Sequence, residues 1–188
     1  MKKLLLFTGL PGVGKSTISS EFSKKTSARI VELDDFKKTD INPTLVRSQI
    51  DPPELRWIYY QKALLYVFEL FDQRLPMIIM DEVFHLHSLR TRLETLCMGQ
   101  HVQVLWIEVR CPYEVVEKRL YSTRRDGHIL STEETLRMHL RFKAVFEEFS
   151  IRSQNHIIIN NENINDIDLA IEAILTKVKA NSQPEPSL

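Results

Sequence analysis

The sequence predicts an α/β fold in which helices cover both faces of a central, largely parallel sheet. Short runs rich in Val, Ile and Leu alternate with longer segments of helical period, the pattern of successive βα units. The runs are nearly continuous in apolar character, as strands buried on both faces must be. A glycine-rich turn follows the first run and leads directly into a helical stretch.

Five runs are expected as strands: Lys3 to Thr8, Arg29 to Leu33, Met77 to Met80, Val102 to Val109 and His156 to Ile159. The segments between them carry helix ends. Asp51-Pro52-Pro53-Glu54 offers an N-cap, a proline at the first helical position and an acidic partner, opening a helix to about Gln73. Trp57, Tyr59 and Tyr60 fall early on it and are expected in the core. A helix from Leu89 to Met98 is expected to stop at Gly99 as C′ residue. Pro112 starts another through about Tyr121, and Ser131-Thr132-Glu133-Glu134 is a capping box for one reaching about Phe149. The last helix, Ile167 to Lys179, carries Ile167, Ala170, Ile171, Ile174, Leu175 and Val178 on one face.

A chain of 188 residues fits one domain, expected over residues 1–180, with a polar, proline-bearing tail at 181–188 expected to be disordered. No apolar stretch is long enough to span a bilayer. The opening Lys2-Lys3 and Leu4 to Phe7 imitate a signal peptide but run into the glycine turn without a cleavage site. Twenty-five basic and 25 acidic residues cancel, which removes the broad attraction most nucleic-acid binders use. Cys97 and Cys111 form no CxxC or Cys/His cluster, and both read as reduced cysteines of a cytoplasmic protein. His85, His87 and His128 lack zinc-ligand spacing.

Gly9-Leu10-Pro11-Gly12-Val13-Gly14-Lys15-Ser16 matches G-x-x-x-x-G-K-[ST] between strand and helix. Such a loop turns successive N–H groups inward around a phosphate, at the positive end of the helix dipole. Lys15 supplies a charge to the β and γ oxygens, Ser16 an oxygen ligand for Mg²⁺, and Thr17 a contact to the α-phosphate. Gly9, Gly12, Val13, Gly14, Lys15, Ser16 and Thr17 are therefore the expected nucleotide contacts.

In open parallel sheets ligands bind beyond the carboxyl ends of the strands. Asp81 stands there after the third run, as a carboxylate that holds Mg²⁺ together with Ser16, or else as a cap of the following turn. Its neighbour Glu82 positions water in an ATPase or lines the pocket in a kinase. Asp34 and Asp35 follow the second run, and one of them, Asp34 in preference, is the expected base for a hydroxyl attacking a γ-phosphate. The stretch Arg119 to His128 is dense in arginine. Arg119, with Arg124 or Arg125, is expected to stabilise the transferring phosphoryl from a short lid around 119–131.

The chain resembles the P-loop small-molecule kinases known as predicted kinases or AAA domain proteins, relatives of the zeta-toxin and chloramphenicol phosphotransferase group. The likeness spans residues 1–178 and is carried by Gly9 to Thr17, Leu33-Asp34-Asp35-Phe36-Lys37, Ile79-Met80-Asp81, and Ile107 to Pro112 followed by Glu117-Lys118-Arg119. It implies a three-layer P-loop NTPase fold with strand order 2-3-1-4-5, ATP as donor with Mg²⁺, Asp34 as base, Arg119 and Arg124 in the lid, and adenine near Asn160 to Asn163 against the lid arginine. No signature of a particular acceptor is present, and Lys37, Lys38, Arg47 and Arg56 are the candidates for an anionic acceptor group.

The reading that results is an ATP- and Mg²⁺-dependent phosphotransferase acting on a hydroxyl of a small molecule, as monomer or homodimer. An ATP-binding switch and a polynucleotide 5′-hydroxyl kinase are the alternatives, the latter disfavoured by the neutral charge. Ile159 to Glu162 supplies no Asn-Lys-x-Asp guanine reader.

Overall fold

Every apolar run forms a strand, and each intervening periodic segment supplies a helix that covers one face. The computed structural model describes residues 1–37, 50–122, 131–149, 155–163 and 166–181. In chain order the elements are β1 (Lys2–Thr8), α1 (Lys15–Thr26), β2 (Arg29–Glu32), α2 (Leu33–Lys37), α3 (Pro53–Asp72), β3 (Met77–Asp81), α4 (His87–Gly99), β4 (Val102–Arg110), α5 (Tyr113–Ser122), α6 (Thr132–Val145), β5 (His156–Asn160) and α7 (Ile167–Ala180). The strands form one sheet of order β2-β3-β1-β4-β5 with all pairs parallel, as expected. In register, Phe7 stands opposite Asp81 on one side and Ile107 on the other, so the loop after β1 and the acids after β3 emerge side by side.

The two-residue alternation of strands sorts the core into two layers. Leu4, Leu6, Ile78, Met80 and Trp106 pack with Trp57, Tyr59 and Tyr60 of α3 and Leu89 and Leu93 of α4. Leu5, Phe7, Ile79, Leu105 and Ile107 pack with Ile18 and Phe22 of α1 and Ile171 and Ile174 of α7. Among the described residues no helix is long and apolar enough to cross a membrane. Cys97 and Cys111 are free; burial pushes the Cys97 thiol up to about 12.

Several helix ends depart from expectation. The N-cap of α3 is Pro52, not Asp51, and no side chain caps it. Pro52 and Pro53 lack N–H groups, so this end has fewer donors to satisfy. Gly99 is the last residue of α4, and the left-handed backbone falls on His101 at φ 54°. The capping box at Ser131 forms with both reciprocal hydrogen bonds, but α6 stops at Val145. Beyond it the backbone serves other elements: the N–H of Glu147 donates to the His85 carbonyl at 2.9 Å, and Arg90 donates to the Glu147 carbonyl at 2.7 Å. Asp34 and Asp35, which follow β2 as expected, lie in the short helix α2. The tail beyond residue 181 lies outside the described residues.

Candidate active site

The turn between β1 and α1 is shaped by contacts that leave no room for side chains. At Gly9, φ is 136° and a Cβ would stand 2.3 Å from the Val109 carbonyl oxygen; at Gly14, φ is 97° and a Cβ would stand 2.3 Å from Asn161 Nδ2. Only glycine tolerates both the backbone angle and the approach. Lys15 opens α1, and its buried ammonium donates to the carbonyls of Gly9 at 3.0 Å and Leu10 at 3.3 Å, folded back across the loop it serves. Ser16 and Thr17 in the first turn of α1 are exposed.

Asp81 ends β3 facing this helix. Its Oδ2 is buried without a hydrogen-bond partner. Burial raises the pKa of the carboxyl, against the opposing pull of the Lys15 charge and a Ser16 hydrogen bond. A buried carboxylate oxygen without a donor is costly, and an oxygen pair from Asp81 and Ser16 suits a hard cation that keeps most of its waters. The residues present therefore fit Mg²⁺.

On the neighbouring strand, β2 runs directly into α2, which leaves Asp34 on the surface with its carboxylate 53% exposed and 2.9 Å from Lys37 Nζ. Lys37 also donates to Glu82 Oε2. Glu82 Oε1 accepts from the Val83 N–H at 2.7 Å and lies 3.7 Å from Arg56 Nη1. Burial alone would raise the Glu82 pKa, but Lys37 and Arg56 outweigh it and hold the carboxyl well below the usual range. Arg56 is buried, with Phe142 of α6 under its guanidinium at 5.0 Å. Beside it His85 is buried against the Phe142 ring, and burial with the Arg56 charge lowers its pKa to about 4. Trp57, Tyr59 and Tyr60 are core residues, as expected.

On the far side, Arg119 at the end of α5 donates to the carbonyls of Asn161 and Glu162, both at 2.8 Å. Its guanidinium thus faces the loop after β5. That loop is the expected adenine side. Arg124, Arg125, His128, Lys38 and Arg47 lie outside the described residues.

Two contacts of the loop went unanticipated. Buried Asn161 donates from Nδ2 to the Val13 carbonyl at 2.8 Å, locking the loop after β5 to the phosphate loop. His139 of α6 pairs through Nδ1 with the Pro11 carbonyl at 2.8 Å. The signal for His139 was a polar residue on the inward stripe with Thr135, Met138 and Phe142, and for Asn161 an amide at the end of an apolar run. Neither pattern names its partner.

A family model described as AAA domain matches residues 4–149. No curated protein matches the sequence. Among solved structures, a sugar kinase from Janibacter sp. HTCC2649 superposes with a TM-score of 0.72 at 20% identity, covering 95% of each chain. A gluconokinase from Sinorhizobium meliloti 1021 gives 0.62 at 13% identity, covering 96% of this chain and 98% of its own. The Mycobacterium tuberculosis APS kinase, solved with AMPPNP and APS, gives 0.60 at 13% identity, covering 95% and 98%.

Proposed function

The chain belongs to the AAA domain family, and from that premise we propose that it is a phosphotransferase that moves the γ-phosphoryl of ATP to a hydroxyl of a small molecule. The observation that carries the proposal is the unpartnered, buried Oδ2 of Asp81 beside Lys15 and Ser16, at the end of the strand next to the phosphate loop. Kinases among the structural neighbours, one solved with an ATP analogue, support the same class of reaction.

In this reading the backbone N–H groups from Gly9 to Lys15, Gly12, Val13 and Gly14 included, surround the β-phosphate, and Thr17 meets the α-phosphate. Lys15 exchanges its loop carbonyls for β and γ oxygens. Ser16 and Asp81 would hold Mg²⁺, which would supply neutralising charge for the phosphates. Asp34 receives the proton of the acceptor hydroxyl as its oxygen bonds to the γ-phosphorus. The bond from that phosphorus to the bridging oxygen breaks, and ADP leaves with the electron pair. Arg119 walls the adenine side with Asn161 and Glu162, and Arg124 meets the transferring group from the lid. The protein is read as one cytoplasmic domain, monomeric or homodimeric, without nucleic-acid or membrane partners.

The test is incubation with Mg·ATP and a panel of sugars, nucleosides, antibiotics and 5′-hydroxyl oligonucleotides, with ADP and phosphorylated product followed by mass spectrometry. ADP matched by a phosphorylated acceptor is the expected result; ADP release independent of any acceptor refutes the transfer reading.

A further inference from the structure

At the end of β3 one largely buried carboxylate, Glu82, faces two cations. Lys37, Arg56 and Glu82 form a buried cluster of two cations and one carboxylate, with Lys37 bridging to the exposed Asp34. The Arg56 side chain is 4% exposed, and among the described residues its Nε and Nη1 meet no carboxylate or carbonyl oxygen at hydrogen-bond distance, the buried Tyr60 phenol being the one neutral oxygen beside them. Glu82 at 3.7 Å is beyond hydrogen-bond reach, and Phe142 offers only its ring face. Buried guanidinium N–H groups without acceptors are expensive, and cations of this kind are held in place when an oxyanion is their partner.

Asp34 neutralises the cluster only while it is paired with Lys37. Under the phosphotransfer reading above, on which this step rests, Asp34 must turn to the acceptor hydroxyl, and Lys37 loses that partner. We infer that the acceptor carries an oxyanion group in addition to its hydroxyl, and that Lys37 and Arg56, held by Glu82, bind that group beside Asp34. Glu82 is then a positioning residue: it fixes both cations at the strand end and touches neither phosphate nor acceptor. The acceptor hydroxyl and the anionic group sit on adjacent carbons or a few bonds apart, since Asp34 and Glu82 share the same lysine.

The test measures binding with the phosphate loop filled, so that anions do not report on Lys15. Protein saturated with Mg·ADP is titrated, at constant ionic strength, with glycerol and glucose as neutral probes, glycerate and gluconate as carboxylates, and glycerol 3-phosphate as a phosphate; Kd is read by calorimetry. At least one anionic probe is expected to bind about tenfold to 100-fold more tightly than its neutral parent, the ratio given by one charge-assisted hydrogen-bonded contact. That preference disappears in Lys37→Met and in Arg56→Met, and falls in Glu82→Gln. Lys37 reaches the surface, so Lys37→Met decides the matter if Arg56→Met does not fold. Equal binding of neutral and anionic probes, or an anion preference unchanged in Lys37→Met, overturns the inference, as does the absence of binding by every anionic probe. The carboxylate and phosphate arms identify which oxyanion is read. Phosphoryl transfer to a neutral probe without anion preference refutes this inference alone, whereas anion binding without transfer to any probe refutes the phosphotransfer reading.

Discussion

Replacing Glu82 by Gln removes the only carboxylate among the described residues that pairs with both Lys37 and Arg56, while leaving volume and the Val83 N–H bond nearly intact. Breaking a buried ion pair from one side costs about 3–5 kcal/mol, because the remaining charge stays desolvated. For a chain of this size each kcal/mol shifts Tm by about 2–4 °C, so Glu82→Gln should melt about 6–20 °C below the parent at pH 7. The pH dependence fixes the cause. The folded Glu82 pKa lies below its ordinary 4.5, so its contribution is fully present above about that pH and is lost as pH falls through the folded value. The gap in Tm between parent and variant should therefore narrow steadily as the pH is lowered below about 4.5. Thermal unfolding followed by circular dichroism at pH 7 and pH 3.5 measures both. Adding Arg56→Met to Glu82→Gln removes the stranded guanidinium and leaves Lys37 with Asp34; the double variant should be more stable than the sum of the two single losses by about 1–3 kcal/mol. A Tm loss under about 2 °C, a gap independent of pH, or strict additivity would refute the assignment of Glu82 as the anchor of the two cations.

Lys15→Ala should abolish ATP binding while leaving Tm within a few degrees of the parent; unchanged ATP affinity by calorimetry would remove the phosphate-cradle assignment. Asp34→Asn should keep ATP affinity and lose transfer by about 10²–10⁴-fold, the usual contribution of a general base, and transfer that survives would point to Asp35. Asp81→Asn should raise the Mg²⁺ concentration needed for half-maximal nucleotide binding, and because the parent's Oδ2 lies buried without a donor, the variant is expected to be at least as stable as the parent without Mg²⁺; a parent-like Mg²⁺ requirement would count against the metal role. Asn161→Ala should cost about 1–3 kcal/mol of stability, since the Val13 carbonyl is left without its donor, and weaken ATP binding with it; an unaffected Kd would separate the loop after β5 from the phosphate loop.

The strands were legible because both faces of the sheet are covered, so that runs such as Leu4 to Phe7 and Met77 to Met80 are apolar throughout. The phosphate loop was legible because its backbone angles demand glycine at fixed spacing, and Asp81 because an acid directly after a buried strand stands out. Partnerships across the sheet were not. Glu82 reads as an acid that positions water or lines the pocket and Arg56 as a candidate for an anionic acceptor group, but their pairing brings α3 to the end of β3, a relation no local pattern encodes. Arg119 is expected to be a functional arginine, but the direction of its guanidinium is set by the carbonyls of Asn161 and Glu162, which its own segment does not announce. Helix ends were missed where competition for hydrogen bonds was remote: α6 stops because His85 and Arg90 take the backbone groups of Glu147, and the sequence around Val145 itself contains no stop signal.

The place of β1 at the centre of the sheet bears on how the molecule is made. Lys3 pairs with Met77 on one side and with Gln103 on the other, and Val13 waits for Asn161 from beyond β5. The segment that forms this loop precedes its partners in the chain and acquires them last. Contacts of such long sequence separation carry a large loop-closure cost and form late. A chain interrupted before β4 thus has the nucleotide motif in its sequence without the walls that give it shape, and nucleotide affinity becomes a measure of how far the sheet around β1 has assembled.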